Sequence, residues 1–375
     1  ETAMTNGWLK TSAWALTVLL LVVVLTCFGV VMVYSSSSIM AARRYADGFF
    51  FLKRQALFAG GGLALMAFLM RVDYHHLRRL AVPALIGCIL LLLAVLIPGI
   101  GHRAGGAARW ISFPGFSLQP AELAKMALVL YMAHSLTKKQ EKIKSFTLGF
   151  VPYMVVLALL LGLLLLQPDL GSALTMAAVA MVLLLVAGTR LTYIASLAIL
   201  AMPFLYFLVM NVDYRRRRIL AFLDPWEDPT NTGFQIIQSW IAFCNGGAFG
   251  QGLGESKQKL FYLPEAHTDF IFSVIGEELG FLGVLVIASM FLLLIVRGYR
   301  IALQAPDSFG CYLAFGLTLL IGIEAFANMA VVMGMVPTKG LALPFLSYGG
   351  TSLIMTLAAV GILLSISKQS PGELR

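Results

Sequence analysis

The chain has 375 residues, of which 59% are hydrophobic and only 12% charged, with a mean hydropathy of +0.88, which leaves too little polar surface to cover a water-soluble globule of this size. A formal charge of +9 would suit nucleic-acid binding in a soluble protein, but no compact basic domain or reader motif is present to carry it. In an integral membrane protein the basic residues gather in loops, where they meet anionic lipid and set orientation.

Residues 1–4, Glu1 to Met4, read as a remnant, since a chain usually opens on Met, and are set aside. Residues 14–34 form an uncharged apolar run of about 20 residues, too long for a signal-peptide core. Further apolar runs fall at 55–70, 80–98, 118–136, 146–166, 170–188, 191–212, 270–296, 309–335 and 349–367, which predicts an all-α polytopic membrane domain of ten spans covering the whole chain. An even count puts both termini on one side. Taking that side as cytoplasmic places thirteen Lys and Arg in the short inner loops against seven in the short outer ones. The second span is short and carries Gly60, Gly61 and Gly62, a flat face suited to close helix packing. None of Cys27, Cys88, Cys244 and Cys311 stands in a C-x-x-C pair, so neither a disulfide framework nor a zinc site is expected.

Charges within spans are costly unless paired or wetted. Glu122 and Lys125 share a helix face three residues apart, and they either neutralise each other or line a polar cavity. Glu277, Glu278, Glu324 and Asn328 add further polar groups, which suggests a hydrated vestibule. One loop, about 213–269, is much longer than the others and is placed outside the membrane, between the seventh and eighth spans. Its Arg215 to Arg218 run is either a solvated anchor or a wall for an anionic ligand. Its 234–249 stretch has the pattern of an interfacial helix. The loop ends in His267, Thr268 and Asp269, polar chemistry at the mouth of a membrane helix. The last outer loop, 336–352, is rich in Pro and Gly and carries Lys339 and Ser347; it is either an ordinary turn or a phosphate cradle at a helix N-terminus.

Four segments, RWISFPGFSLQPAELAK (109–125), QPDLGSAL (167–174), YLPEAHTDFIFSVIGEELG (262–280) and PTKGLALPFLSYGGTS (337–352), occur in this order. Together they resemble the SEDS family of shape, elongation, division and sporulation proteins, and the last two are closer to its division branch than to its elongation branch. The resemblance implies a peptidoglycan glycosyltransferase that polymerises lipid II on the outer face of the bacterial inner membrane, at the division septum. It carries the family's essential carboxylate onto Asp269, and its substrate contacts onto Arg109, Trp110, Glu122, Lys125, Lys339 and Ser347. His267 and Thr268 flank the carboxylate, and His267 is a rival base because a neutral imidazole titrates near pH 7. The implied partners are lipid II and undecaprenyl-linked glycan, membrane lipid, an FtsI-like class B transpeptidase and the FtsQ–FtsL–FtsB regulators, with no nucleic acid. No metal-ligand cluster or tightly bound cofactor is expected; any divalent metal, Mg or Mn, would travel with the substrate pyrophosphate. A lipid II transporter and a structural scaffold of the division machinery are the competing readings. Against the first, the sequence shows no internal repeat of the kind many transporters carry.

Overall fold

The computed structural model describes residues 13–104, 107–113, 116–231, 233–259, 263–264 and 266–369. The leading residues 1–4, Lys10 and Glu265 therefore lie outside the described residues. Twelve α-helices are present among these: α1 (Ala13–Tyr45), α2 (Phe50–Leu69), α3 (His75–Leu96), α4 (Pro120–Lys138), α5 (Val151–Leu166), α6 (Leu170–Val186), α7 (Leu191–Met210), α8 (Asp213–Leu223), α9 (Phe234–Gly246), α10 (Ile271–Leu303), α11 (Ser308–Val332) and α12 (Gly350–Gln369). Every expected span coincides with one of these helices. Seven of them, counting α5 together with the π-helical turn Phe146–Phe150 before it, are long and apolar enough to cross a membrane. The other three are α2, whose head carries Lys53 and Arg54, α4, which carries Glu122 and Lys125, and α6, which has 17 residues.

The helices are specified locally and then packed through small residues. Pro120 opens α4 where a missing N–H costs nothing, with Glu122 in its first turn and Lys138 in its last, as the helix dipole favours. Asp169 caps α6: its Oδ1 accepts from Ser172 N at 3.1 Å and its Oδ2 from Ser172 Oγ at 2.7 Å. Lipid tails supply no hydrophobic drive between helices, so close approach carries the packing. A methyl group on Gly62 of α2 would lie 2.5 Å from Leu357 on α12, and one on Gly361 would lie 2.8 Å from the Met66 carbonyl. Gly60 and Gly61, by contrast, face open space, so one glycine of the three makes the contact. Helices α11 and α12 are largely buried in the bundle, whereas α7 has no buried residue at all.

Three features depart from the sequence expectation. The 99–117 segment is not a plain loop: β1 (Gly101–Ala104), β2 (Ala107–Phe113) and β3 (Phe116–Leu118) form an antiparallel sheet in the order β1-β2-β3, so the fold is predominantly rather than wholly helical. Trp110, Ile111, Phe113 and Phe116 favour strands, but the stretch was too short to stand out between two membrane runs. Next, α9 does not merely lie along a surface. It buries Ile236, Ile237 and Ala242, and Ser239 Oγ donates to the Val332 carbonyl at 2.5 Å. Finally, α10 is broken at Gly280 (φ 68°, ψ −166°). The carbonyls of Glu277 and Glu278 accept from the backbone N–H groups of Gln251 and Gly252, each at 3.0 Å. In return Phe281 and Leu282 donate to the carbonyls of Gly247 and Ala248 at 2.8 and 3.2 Å. A non-helical residue at membrane depth is tolerable only when its freed backbone groups are re-paired in this way.

Candidate functional site

The N-terminal ends of α4, α6 and α12, the head of α2, the β2–β3 hairpin and the loop before α10 meet at one end of the bundle around a cavity of about 440 Å³. Its lining includes Arg54, Arg109, Trp110, Glu122, Lys125, Asp169, Thr268, Asp269, Glu324 and Tyr348. Helix N-termini carry partial positive charge and unpaired N–H groups; here Asp169 and Glu122 already stand at those of α6 and α4, and Arg54, Arg109 and Lys125 supply the cations of the cavity.

Deep in the cavity, Lys125 donates to Glu122 Oε1 at 2.8 Å and also to Glu324 of α11. The ammonium is shared by two carboxylates and its side chain is only 4% exposed. The Glu122–Lys125 pair is thus an ion pair that also lines the cavity. The third member, Glu324, which the sequence offered with Asn328 as part of a hydrated vestibule, lines this cavity. Higher up, Arg109 Nε donates to the Gln167 carbonyl at 3.1 Å and its Nη2 to the Pro168 carbonyl, which ties the hairpin to the turn before α6. Asp169, absent from the sequence candidates, stands at that turn as the α6 cap; an acid three residues before Ser172 was the available signal.

The loop bearing Asp269 is stitched to the last loop. Tyr348 N donates to the His267 carbonyl at 3.0 Å, and Ser347 Oγ donates to the Thr268 carbonyl at 2.5 Å. Asn328 Nδ2 donates to the Asp269 carbonyl at 2.8 Å. Gly340 abuts the Asp269 carboxylate so closely that a methyl group there would lie 2.6 Å from Oδ2. His267 does not line the cavity; its ring is buried between Phe51 (4.7 Å) and Tyr348 (5.7 Å). Ser347 also stands behind the wall, accepting from Leu343 N at 2.8 Å. Lys339 lies behind it too, donating to the Gly171 carbonyl at 2.9 Å. Burial pushes the Lys339 ammonium down to about 8, with Asp169 opposing that shift and Lys125 adding to it.

Two sequence expectations are corrected here. Glu277 and Glu278 do not line this cavity: Glu277 accepts from Ser256 Oγ and from Asn245 Nδ2 (3.3 Å), and Glu278 from Ser35 Oγ (2.5 Å), so both fasten the long loop and α1 to the broken helix. The Arg215 to Arg218 run does not form a wall of the cavity either. Arg215 folds back on the Leu208 carbonyl at 3.1 Å, and Arg218 reaches the Thr338 carbonyl at 3.0 Å, beside Lys339.

A family model for cell cycle proteins of the FtsW, RodA and SpoVE type matches residues 15–371. The chain belongs to the FtsW/RodA/SpoVE family. Among curated members, a probable peptidoglycan glycosyltransferase FtsW from Geobacter metallireducens is 67% identical over 357 residues, covering 95% of each chain. Stage V sporulation protein E of Bacillus subtilis is 45% identical, covering 85% of this chain and 87% of its own. Among solved structures, one described as the structural coordination of polymerization and crosslinking by a peptidoglycan synthase complex matches with a TM-score of 0.77 and 32% identity, over 96% of this chain and 98% of that one. The rod shape determining protein RodA of Thermus thermophilus matches with a TM-score of 0.71 and 28% identity, over 98% and 99%. The FtsW/RodA/SpoVE model thus spans all the residues that line the cavity.

Proposed function

We propose that this chain is a peptidoglycan glycosyltransferase that polymerises lipid II at the outer face of the bacterial inner membrane during septal wall synthesis. The observation that supports this most is the convergence of four distant segments on one cavity that holds Arg109, Lys125 and Asp269 together, in a chain 67% identical to a relative of that description. A lipid-linked pyrophosphate is already a good leaving group, so no acid need protonate the departing oxygen. The acceptor sugar hydroxyl is a poor nucleophile until a base removes its proton. Asp269 takes that proton as the hydroxyl oxygen bonds to the anomeric carbon and the bond to pyrophosphate breaks, in one inverting displacement. Arg109 and Lys125 face the departing charge, with Trp110, Glu122 and Thr268 shaping the site. His267 and Ser347 hold the loop that bears the base. A divalent cation, Mg or Mn, enters with the pyrophosphate as part of the substrate. A class B transpeptidase of the FtsI type would cross-link the product, under FtsQ–FtsL–FtsB control. Purified protein with its transpeptidase, given labelled lipid II, should yield glycan ladders; no product longer than the substrate would overturn the reading.

The reading has ten spans, both termini inside and the 213–269 loop outside. In a Cys244→Ser background, Leu253→Cys, at a position 59% exposed in that loop, labels with an impermeant thiol reagent in intact spheroplasts. Labelling only after permeabilisation would place the cavity on the cytoplasmic side.

Lys339 gives the site a pH dependence. Its ammonium is present below about 8 and lost above it, whereas an ordinary lysine keeps its charge to about 10.5. Its charge adds to the positive field behind the cavity, so lipid II binding weakens as pH rises through 8. Lys339→Arg removes that step, and Lys339→Met holds the weaker level throughout. A parental binding curve flat from pH 7 to 9 would remove Lys339 from the anion site.

A further inference from the structure

We infer that Asn328 is a positioning residue for Asp269, fixing the depth at which the carboxylate stands in the cavity; this rests on the reading of Asp269 as the base. Asn328 is 1% exposed on α11. Its Nδ2 is shared between two carbonyls, that of Asp269 at 2.8 Å and that of Leu341 at 2.5 Å. These belong to the two loops that form the cavity mouth, and both residues line it. The amide therefore bridges the loop that carries the carboxylate and the loop that bounds it. From the other side, the bare Cα of Gly340 leaves just enough room for Oδ2. Asp269 is thus held by its backbone from α11 and limited at its carboxylate by Gly340.

The same helix joins this clamp to the ion cluster. Glu324 lies one turn before Asn328 and accepts from Lys125. A rigid helical turn consequently sets the distance between the proposed base and the proposed cation for the leaving group. Deletion of the Nδ2 donors removes the bridge between the two loops and lets them separate, and a displacement of about 1 Å at a reacting group can cost about a hundredfold in rate.

The test is steady-state polymerisation of lipid II by the purified chain with its transpeptidase, separating kcat from KM. Asn328→Ala and Asn328→Asp, the latter of equal size but without the N–H donors, should lower kcat by about 10- to 100-fold with KM within about threefold. Gly340→Ala, which presses on the carboxylate directly, should show the same split and serves if the Asn328 variants do not fold. Asn245→Ala, which removes an amide bond to Glu277, neither residue being in the cavity lining, should leave kcat within about twofold of the parent. The inference is overturned if folded Asn328→Ala or Gly340→Ala protein keeps the parental kcat, or if kcat and substrate binding fall together. Asp269→Asn is run in parallel. An inactive Asp269→Asn protein beside fully active Asn328 and Gly340 variants sinks this inference alone, whereas an active one sinks the underlying assignment.

Discussion

Replacement of Asp269 by Asn lowers glycan synthesis by about two to four orders of magnitude, the usual worth of a positioned general base. The substitution preserves size and shape, so the fit against Gly340 and the Asn328 bond to the Asp269 carbonyl survive, and the protein folds and binds its transpeptidase as the parent does. What is lost is the capacity to take the acceptor proton. Turnover is measured on lipid II presented in detergent, where no lipid has to cross a membrane. A transporter losing a proton-linked carboxylate would keep whatever bond-forming activity it had, so the two readings separate in this assay. Near-parental polymerisation by Asp269→Asn protein would reject Asp269 as the base, and the burial of His267 between Phe51 and Tyr348 leaves that ring poorly placed to replace it.

Lys125→Met removes the cation shared by Glu122 and Glu324, whose side chains are only 12% and 7% exposed. Breaking a buried ion pair by deleting one partner costs about 3–5 kcal/mol, because the charge left behind is uncompensated. Thermal unfolding in detergent should therefore show a large loss. The triple variant Lys125→Met, Glu122→Gln, Glu324→Gln removes the stranded charges and recovers most of the stability. Polymerisation stays absent if Lys125 touches the leaving pyrophosphate and returns if the cluster only fixes the packing of α4 against α11. Exchanging the charges of Glu122 and Lys125 does not distinguish these roles, because E122K/K125E sets a carboxylate against Glu324.

The helices were legible because a membrane demands apolar runs of fixed length, and the ten runs coincide with helices to within a few residues at most ends. Most of the site candidates were legible as well, since Arg109, Trp110, Glu122, Lys125, Thr268 and Asp269 all reach the cavity. What escaped depends on contacts between distant segments. Glu324 was expected as a vestibule acid, but its bond to Lys125 of α4, 199 positions away, could not be read from its own helix. Asp169 reads locally as a helix cap and becomes a cavity residue only where α6 meets the hairpin. Glu277 and Glu278 looked like vestibule acids because nothing in their own helix shows that Ser35, Asn245 and Ser256 come to meet them. Ser347 and His267 carry reactive side chains, yet their positions serve to hold a loop.

The repaired break in α10 changes what the long loop is. A conventional loop can be shortened or lengthened while the elements it joins remain whole. Here the N–H and carbonyl groups of 247–252 are the missing rungs of a membrane helix, inserted from elsewhere in the chain as a patch is let into a beam. The two pieces of α10 on either side of Gly280 are continuous in sequence but are spliced together by a strand that arrives from α9. Any movement of α9 is thereby applied at the joint, a short helix away from Asp269, and a change of length within 247–252 would unseat the helix itself.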